Sequence, residues 1–270
     1  MEKMNRFFLL TPILQALIAG TVNYLFTAAG ASLVFLFNNY NKKVMDFILG
    51  FAAGVMIAAS FWSLLDPAIE MASTSGKLPW LVVSIGFLAG GFFLRSIDLI
   101  VPHLHMAQQK PEGVKSNFKR IVLLVLAITI HNIPEGLAVG VVFGSLNDNG
   151  SATNIFSAIA LSLGIGIQNF PEGAAVSLPL RGEGYSKAKA FFYGQISGLV
   201  EPISALLGAV LVIIARPILP YSLAFAAGAM IYVVVEELIP EIHSGKKSAL
   251  GVIGFTIGFV IMMVLDIALG

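Results

Sequence analysis

His131-Asn132-Ile133-Pro134-Glu135-Gly136, and then Gln168-Asn169-Phe170-Pro171-Glu172-Gly173, lie inside two long apolar stretches of the chain. Each copy falls near the centre of a run long enough to cross a bilayer. An ionised carboxylate at that depth costs about 3 kcal/mol or more unless it meets a partner or a cation. Two carboxylates and an imidazole so placed point to a cation site.

The rest of the chain has the composition of a membrane protein. Of 270 residues, 57% are hydrophobic and only 11% charged, and the mean hydropathy is +0.88, far from the balance of soluble domains. There is no cysteine, so a metal site must rest on His, carboxylate, amide or thioether groups. The net charge of +1 identifies no partner beyond the lipid bilayer, and nucleic acid is not expected as one. Lys3 and Arg6 precede an apolar run with no small-residue cleavage site leading to a soluble domain, so this run reads as the first span.

Apolar runs of about 20 residues, the length of a membrane-crossing helix, occur near residues 7–37, 45–70, 79–102, 120–144, 154–180, 187–214, 218–241 and 248–269. The expected fold is all-α and integral to the membrane, with eight transmembrane helices in one domain over 1–270 and a single sizeable polar loop at 103–119. Basic residues concentrate in alternate connections: Lys42, Lys43, Lys110, Lys115, Lys119, Arg120, Arg181, Lys187, Lys189, Lys246 and Lys247 on one side, against Lys3, Arg6, Lys77 and Arg216 on the other. The positive-inside rule then puts both termini outside the cell and the 103–119 loop in the cytoplasm.

Two repeats run through this pattern. Phe51-Ala52-Ala53-Gly54-Val55-Met56-Ile57 in the second span matches Phe225-Ala226-Ala227-Gly228-Ala229-Met230-Ile231 in the seventh, which crosses in the opposite direction. The motif-bearing fourth and fifth spans are related in the same way. Inverted repeats are typical of secondary transporters, whose substrates bind near the midplane where the repeats meet.

His131 and Glu135 are four residues apart, as are Gln168 and Glu172, so each pair shares one helix face. Asn132 and Asn169 add an amide on each helix. Pro134 and Pro171 should free the carbonyls of Ile130 and Ile167 or kink the helices. His131, Gln168, Glu201 and Met56 all fall close to the middle of their spans, so four helices deliver polar or soft groups at one height. Glu201 needs a partner of its own. Imidazole with carboxylate and amide oxygens suits zinc, iron or manganese better than an alkali ion, and without thiolates the affinity should be modest.

The paired motifs resemble the signature of the ZIP divalent-metal transporters, in particular their bacterial GufA-like branch, over essentially the whole chain. The resemblance implies helices arranged three, two and three, and a homodimer in the plasma membrane. It implies movement of the site-bearing helices relative to a scaffold. Met56, His131, Glu135, Gln168 and Glu172 would form a primary site, and Asn132, Asn169 and Glu201 a second one sharing Glu135 and Glu172. The substrate would be Zn2+, with Fe2+, Mn2+ or Cd2+ alongside, moving into the cytoplasm. Some relatives carry aspartate where this chain has Asn169, which would lower the charge of the second site.

Met56, Ser63 and Glu70 are spaced by sevens along one helix face, and Asp266 lies near the same end of the last span; these form an expected entrance. Asp98, His103, His105, Glu236 and Glu237 form an expected cytoplasmic exit, with Arg95 as the intrahelical partner of Asp98. Two other classes fit parts of the pattern. An intramembrane zinc hydrolase would use His and Glu around a metal-bound water, but the His-Glu-x-x-His spacing is missing. An ion-coupled organic solute carrier would use the same carboxylates, but few aromatic or basic groups flank them.

Overall fold

The computed structural model describes residues 7–37, 42–102, 120–147, 154–214, 216–243 and 249–269. Eight long helical segments run through them. α1 is Pro12–Ala31, extended by a 3-10 turn at Ser32–Phe35. α2 runs from Lys42–Ala59 through a wide π-turn, Ser60–Leu65, into Asp66–Thr74. α3 is Pro79–Ile100, α4 Arg120–Gly144 and α5 Ile155–Gly182. α6 joins Lys187–Ile196 to Val200–Ile214 across a 3-10 turn at Ser197–Leu199. α7 joins Leu219–Val233 to Ile239–His243 across a second π-turn, Val234–Leu238, and α8 is Ala249–Leu269.

Among the described residues, α1, α2, α3, α6, α7 and α8 are long and apolar enough to cross a membrane by length and composition. In α4 the described apolar stretch is Ile128–Gly144, and residues 121–127 continue it in sequence. α4 and α5 carry the polar motifs, and their burial explains how they tolerate them. In α5, Gln168, Asn169 and Glu172 are all buried among neighbouring helices. α3 and α8 instead expose rows of Leu, Ile, Val and Phe, as lipid-facing helices do.

Helices pair as α1 with α5, α4 with α6, α2 with α8 and α3 with α7. Exchanging α1 for α6, α2 for α7, α3 for α8 and α4 for α5 maps this set of pairs onto itself, so the repeat seen in the sequence extends to the packing. The first part of α2 lies beside the last part of α7, and the last part of α2 beside the start of α7. The two similar helices are therefore antiparallel.

Close backbone approach fixes the register. A Cβ on Gly90 would run into the Phe225 carbonyl, and one on Gly258 into the Phe51 carbonyl. Phe51 and Phe225 open the two copies of the repeated string, so the same glycine-to-carbonyl contact is built twice. Small residues permit this because packing, rather than a hydrophobic force, holds helices together in lipid.

Three backbone features depart from the expectations. α4 and α5 continue as α-helix through Pro134 and Pro171. The irregular turns lie instead in α2 and α7, starting at the matching positions Ser60 and Val234, and in α6 just before Glu201-Pro202. Each π-turn is followed closely by a proline, Pro67 or Pro240. Proline cannot donate to the carbonyl one turn back, and a wider turn relieves the clash.

Gly258→Val should force α8 away from Phe51 and lower stability by about 1–3 kcal/mol. Thermal unfolding of the purified protein in detergent would read this as a lower midpoint than that of Val252→Ala on the exposed face of the same helix.

Candidate metal centre

The motif glycines explain why α4 and α5 can bring their carboxylates so close to neighbouring helices. A Cβ on Gly136 would meet the backbone of Glu201 in α6, and one on Gly173 would meet the carbonyl of Thr27 in α1. These contacts are repeat-mates, so Thr27 stands in α1 where Glu201 stands in α6. Each motif helix therefore rests directly on a polar residue of its partner.

Around these contacts the polar groups interlock. Gln168 Nε2 donates to Glu135 Oε1 at 2.5 Å, tying α5 to α4. Asn169 Nδ2 donates to Glu201 Oε2 at 2.6 Å, and Thr27 Oγ1 to Glu201 Oε1 at 3.1 Å. Asn132 Nδ2 donates to the Ser197 carbonyl at 3.1 Å, at the break in α6. His131 Nε2 lies 2.5 Å from Glu237 Oε1 in the π-turn of α7. Glu135 is within electrostatic reach of Glu172 and Glu201, and Glu172 of Glu237. Glu201 also falls in the first turn after the break in α6, where the helix dipole favours an anion.

What the network leaves over is more informative than what it satisfies. Asn132 Oδ1, Glu135 Oε2, Gln168 Oε1, Asn169 Oδ1 and Glu172 Oε2 are buried and have no hydrogen-bond partner. All five are acceptors. A buried acceptor without a donor costs about 1–3 kcal/mol, and a divalent cation is a guest that could serve several such oxygens together. Neither oxygen of Glu201 is among them, because Thr27 and Asn169 hold both.

Met56 is fully buried in α2, which packs on α5. Among the described residues, no three His, Asp or Glu side chains converge on one point. Amide nitrogens from Gln168 and Asn169 stand against Glu135 and Glu201, and Glu237 stands against His131, so the expected ligands are neighbours without forming a closed cage.

The expected entrance comes together only in part. Ser63 Oγ donates to Asp266 Oδ1 at 2.5 Å, both groups are buried, and Asp266 Oδ2 has no partner. Glu70 is exposed. The heptad count that grouped it with Met56 and Ser63 assumed an unbroken α-helix, and the π-turn changes the phase beyond Leu65.

At the expected exit, Tyr232 Oη donates to Asp98 Oδ2 at 2.6 Å, and Arg95 hydrogen-bonds the same tyrosine. The phenol thus bonds both Asp98 and Arg95, which is itself within electrostatic reach of Asp98. Glu237 faces His131 rather than the exit alone, and Glu236 is half-buried nearby in the chain. His103 and His105 lie outside the described residues.

Sequence reasoning missed Thr27, Glu237 as the His131 partner, and Tyr232. The register of the repeat could have found Thr27, as the counterpart of Glu201. The same register makes Asp266 the counterpart of Asp98, and Ser63 that of Glu237, so the expected entrance and exit occupy equivalent positions in the two halves.

The comparisons with known proteins agree over nearly the full length. The family described as ZIP Zinc transporter matches residues 13–121 and 105–266. Zinc transporter ZIP11 of Bos taurus is 43% identical, covering 96% of this chain and 98% of its own length. Zinc transporter GufA of Myxococcus xanthus is 37% identical over the same shares. Zinc transporter ZIPB of Bordetella bronchiseptica is 37% identical, covering 94% of this chain and 81% of its own.

Thr27→Val keeps the side-chain shape but removes a donor from Glu201. It should destabilise the metal-free protein by about 1–3 kcal/mol, seen as a lower unfolding midpoint in detergent than that of Thr21→Val on the exposed face of α1.

Proposed function

Because this chain belongs to the ZIP zinc transporter family, we propose that it carries divalent metal ions, Zn2+ foremost, across the membrane through the polar centre between α4 and α5. It is a multi-pass membrane protein and a transporter rather than an enzyme. The observation that carries the reading is the set of five orphaned, buried acceptor oxygens on Asn132, Glu135, Gln168, Asn169 and Glu172. A divalent cation would satisfy several of them together, and no apolar or anionic cargo would.

In this reading His131, Glu135, Gln168, Glu172 and Met56 hold the ion first. Asn132, Asn169 and Glu201 form the adjacent half of a two-ion centre that shares Glu135 and Glu172. Loading requires the Gln168 and Asn169 amides to turn their oxygens inward and His131 to leave Glu237. Each exchanges one partner for another, which keeps the barrier low and the affinity modest. Fe2+, Mn2+ and Cd2+ prefer similar donors and are proposed as further cargo.

All eight helices cross the membrane, with both termini outside the cell and the 103–119 loop in the cytoplasm. The chain acts in the plasma membrane as a homodimer, and ions move inward. Ser63 and Asp266 form the entrance, with Glu70 at the outer surface. Glu237 takes the ion from His131, and Asp98, Glu236, His103 and His105 lead it to the cytoplasm.

Zinc uptake into proteoliposomes tests the centre. His131→Ala and Glu172→Ala should each lower the rate roughly tenfold or more with little change in folded yield, and wild-type rates in both would overturn the assignment. Asp266→Asn should slow uptake at low external zinc and have much less effect at saturation, the pattern of a residue that gathers ions without holding them at the centre.

A further inference from the structure

The two halves of the bundle close differently. On one side α8 packs against α5, with the Met262 side chain lodged against Gly164, where a Cβ would collide with its sulfur. On the other side α3, the repeat-mate of α8, has no comparable contact with α4 among the described residues. A groove of about 360 Å³ remains there, lined by Ile85 and Ala89 of α3, Leu137 and Val141 of α4, Leu211 of α6 and Phe225 of α7.

The lining is almost wholly apolar. Ser222 also borders it, but its hydroxyl is turned back to the Ile218 carbonyl at 3.1 Å. Such a space does not hold water. Ile85 and Leu211 are exposed on the outside of the bundle, so the groove opens towards hydrocarbon. Among the described residues a cation stands at its mouth: Lys77 Nζ is 5.2 Å from the centre of the Tyr221 ring, and Tyr221 lines the groove. The ammonium donates to the Pro217 carbonyl at 3.0 Å, and a lysine has three donors to give.

We infer that this groove binds one phospholipid, with an acyl chain between α3 and α4 and the headgroup phosphate on Lys77. The two parts match the two chemistries of such a molecule: an apolar slot within the span, and a cation at the helix ends where headgroups lie. The chain would supply between α3 and α4 the packing that Met262 supplies between α8 and α5. It would also border α4 one residue from the motif, at Leu137, so the spacing between the α3–α7 pair and the site-bearing helix would depend on it.

Purified full-length protein, reconstituted in phosphatidylglycerol and phosphatidylethanolamine and then returned to detergent, should retain one phospholipid per chain by native mass spectrometry. Ala89 is exposed, so Ala89→Phe should fill the slot without disturbing the core and abolish retention. Lys77→Gln should leave the slot open and weaken retention about fivefold. Unchanged retention in Ala89→Phe would overturn the proposal. So would a wild-type protein that binds no phospholipid, or a groove covered by a second copy, seen as a dimer that Ala89→Phe dissociates. Because the measurement needs no metal, its outcome is separate from that of the transport reading.

Discussion

Carboxylates held in a low-dielectric interior place the strongest constraint on this chain. Glu135, Glu172 and Glu201 lie in the packed interior of the helices, within electrostatic reach of one another. Like charges so placed repel, and each loses its hydration. The surrounding sequence is organised to relieve that cost. Thr27 and Asn169 supply donors to Glu201, Gln168 supplies one to Glu135, and the start of the second half of α6 turns a helix dipole towards Glu201. What these devices do not cover is the surplus of lone pairs that suits a doubly charged guest.

The repeated architecture makes such a centre possible. Two polar helices can sit side by side only if other helices cover them without gaps. The motif glycines allow this by letting α4 settle on Glu201 and α5 on Thr27 at backbone distance. A residue with any side chain at Gly136 or Gly173 would push these helices apart and let lipid or water reach the carboxylates. The glycine of each motif is thus as much a part of the site as the acid beside it, although it offers the cargo nothing.

Much of this was legible in the residues. Apolar run lengths located all eight helices to within a few residues, and the paired Asn-x-Pro-Glu-Gly strings lie on the two helices whose buried polar groups interlock. The Phe-Ala-Ala-Gly strings revealed the repeat that the glycine contacts reproduce. The rest depended on contacts between helices far apart in the chain. Thr27 reads as an ordinary hydroxyl in a membrane helix until Glu201 is brought to it, and nothing local to Glu237 indicates that it faces His131. An apolar run looks the same whether its backbone is wide or regular, so the π-turns are not visible in it, and the heptad count from Ser63 to Glu70 crosses one of them. Only Pro67 and Pro240 hinted at them.

The equivalence of Ser63 with Glu237, and of Asp266 with Asp98, gives the protein a built-in polarity. A perfectly duplicated scaffold would present the same electrical landscape from either direction. Here one end offers Asp266 beside a neutral Trp62-Ser63 pair, and the other offers Asp98 beside Glu236-Glu237. Glu236 and Glu237 thus stand where the other half has Trp62 and Ser63, and the pseudo-symmetric frame is electrically uneven.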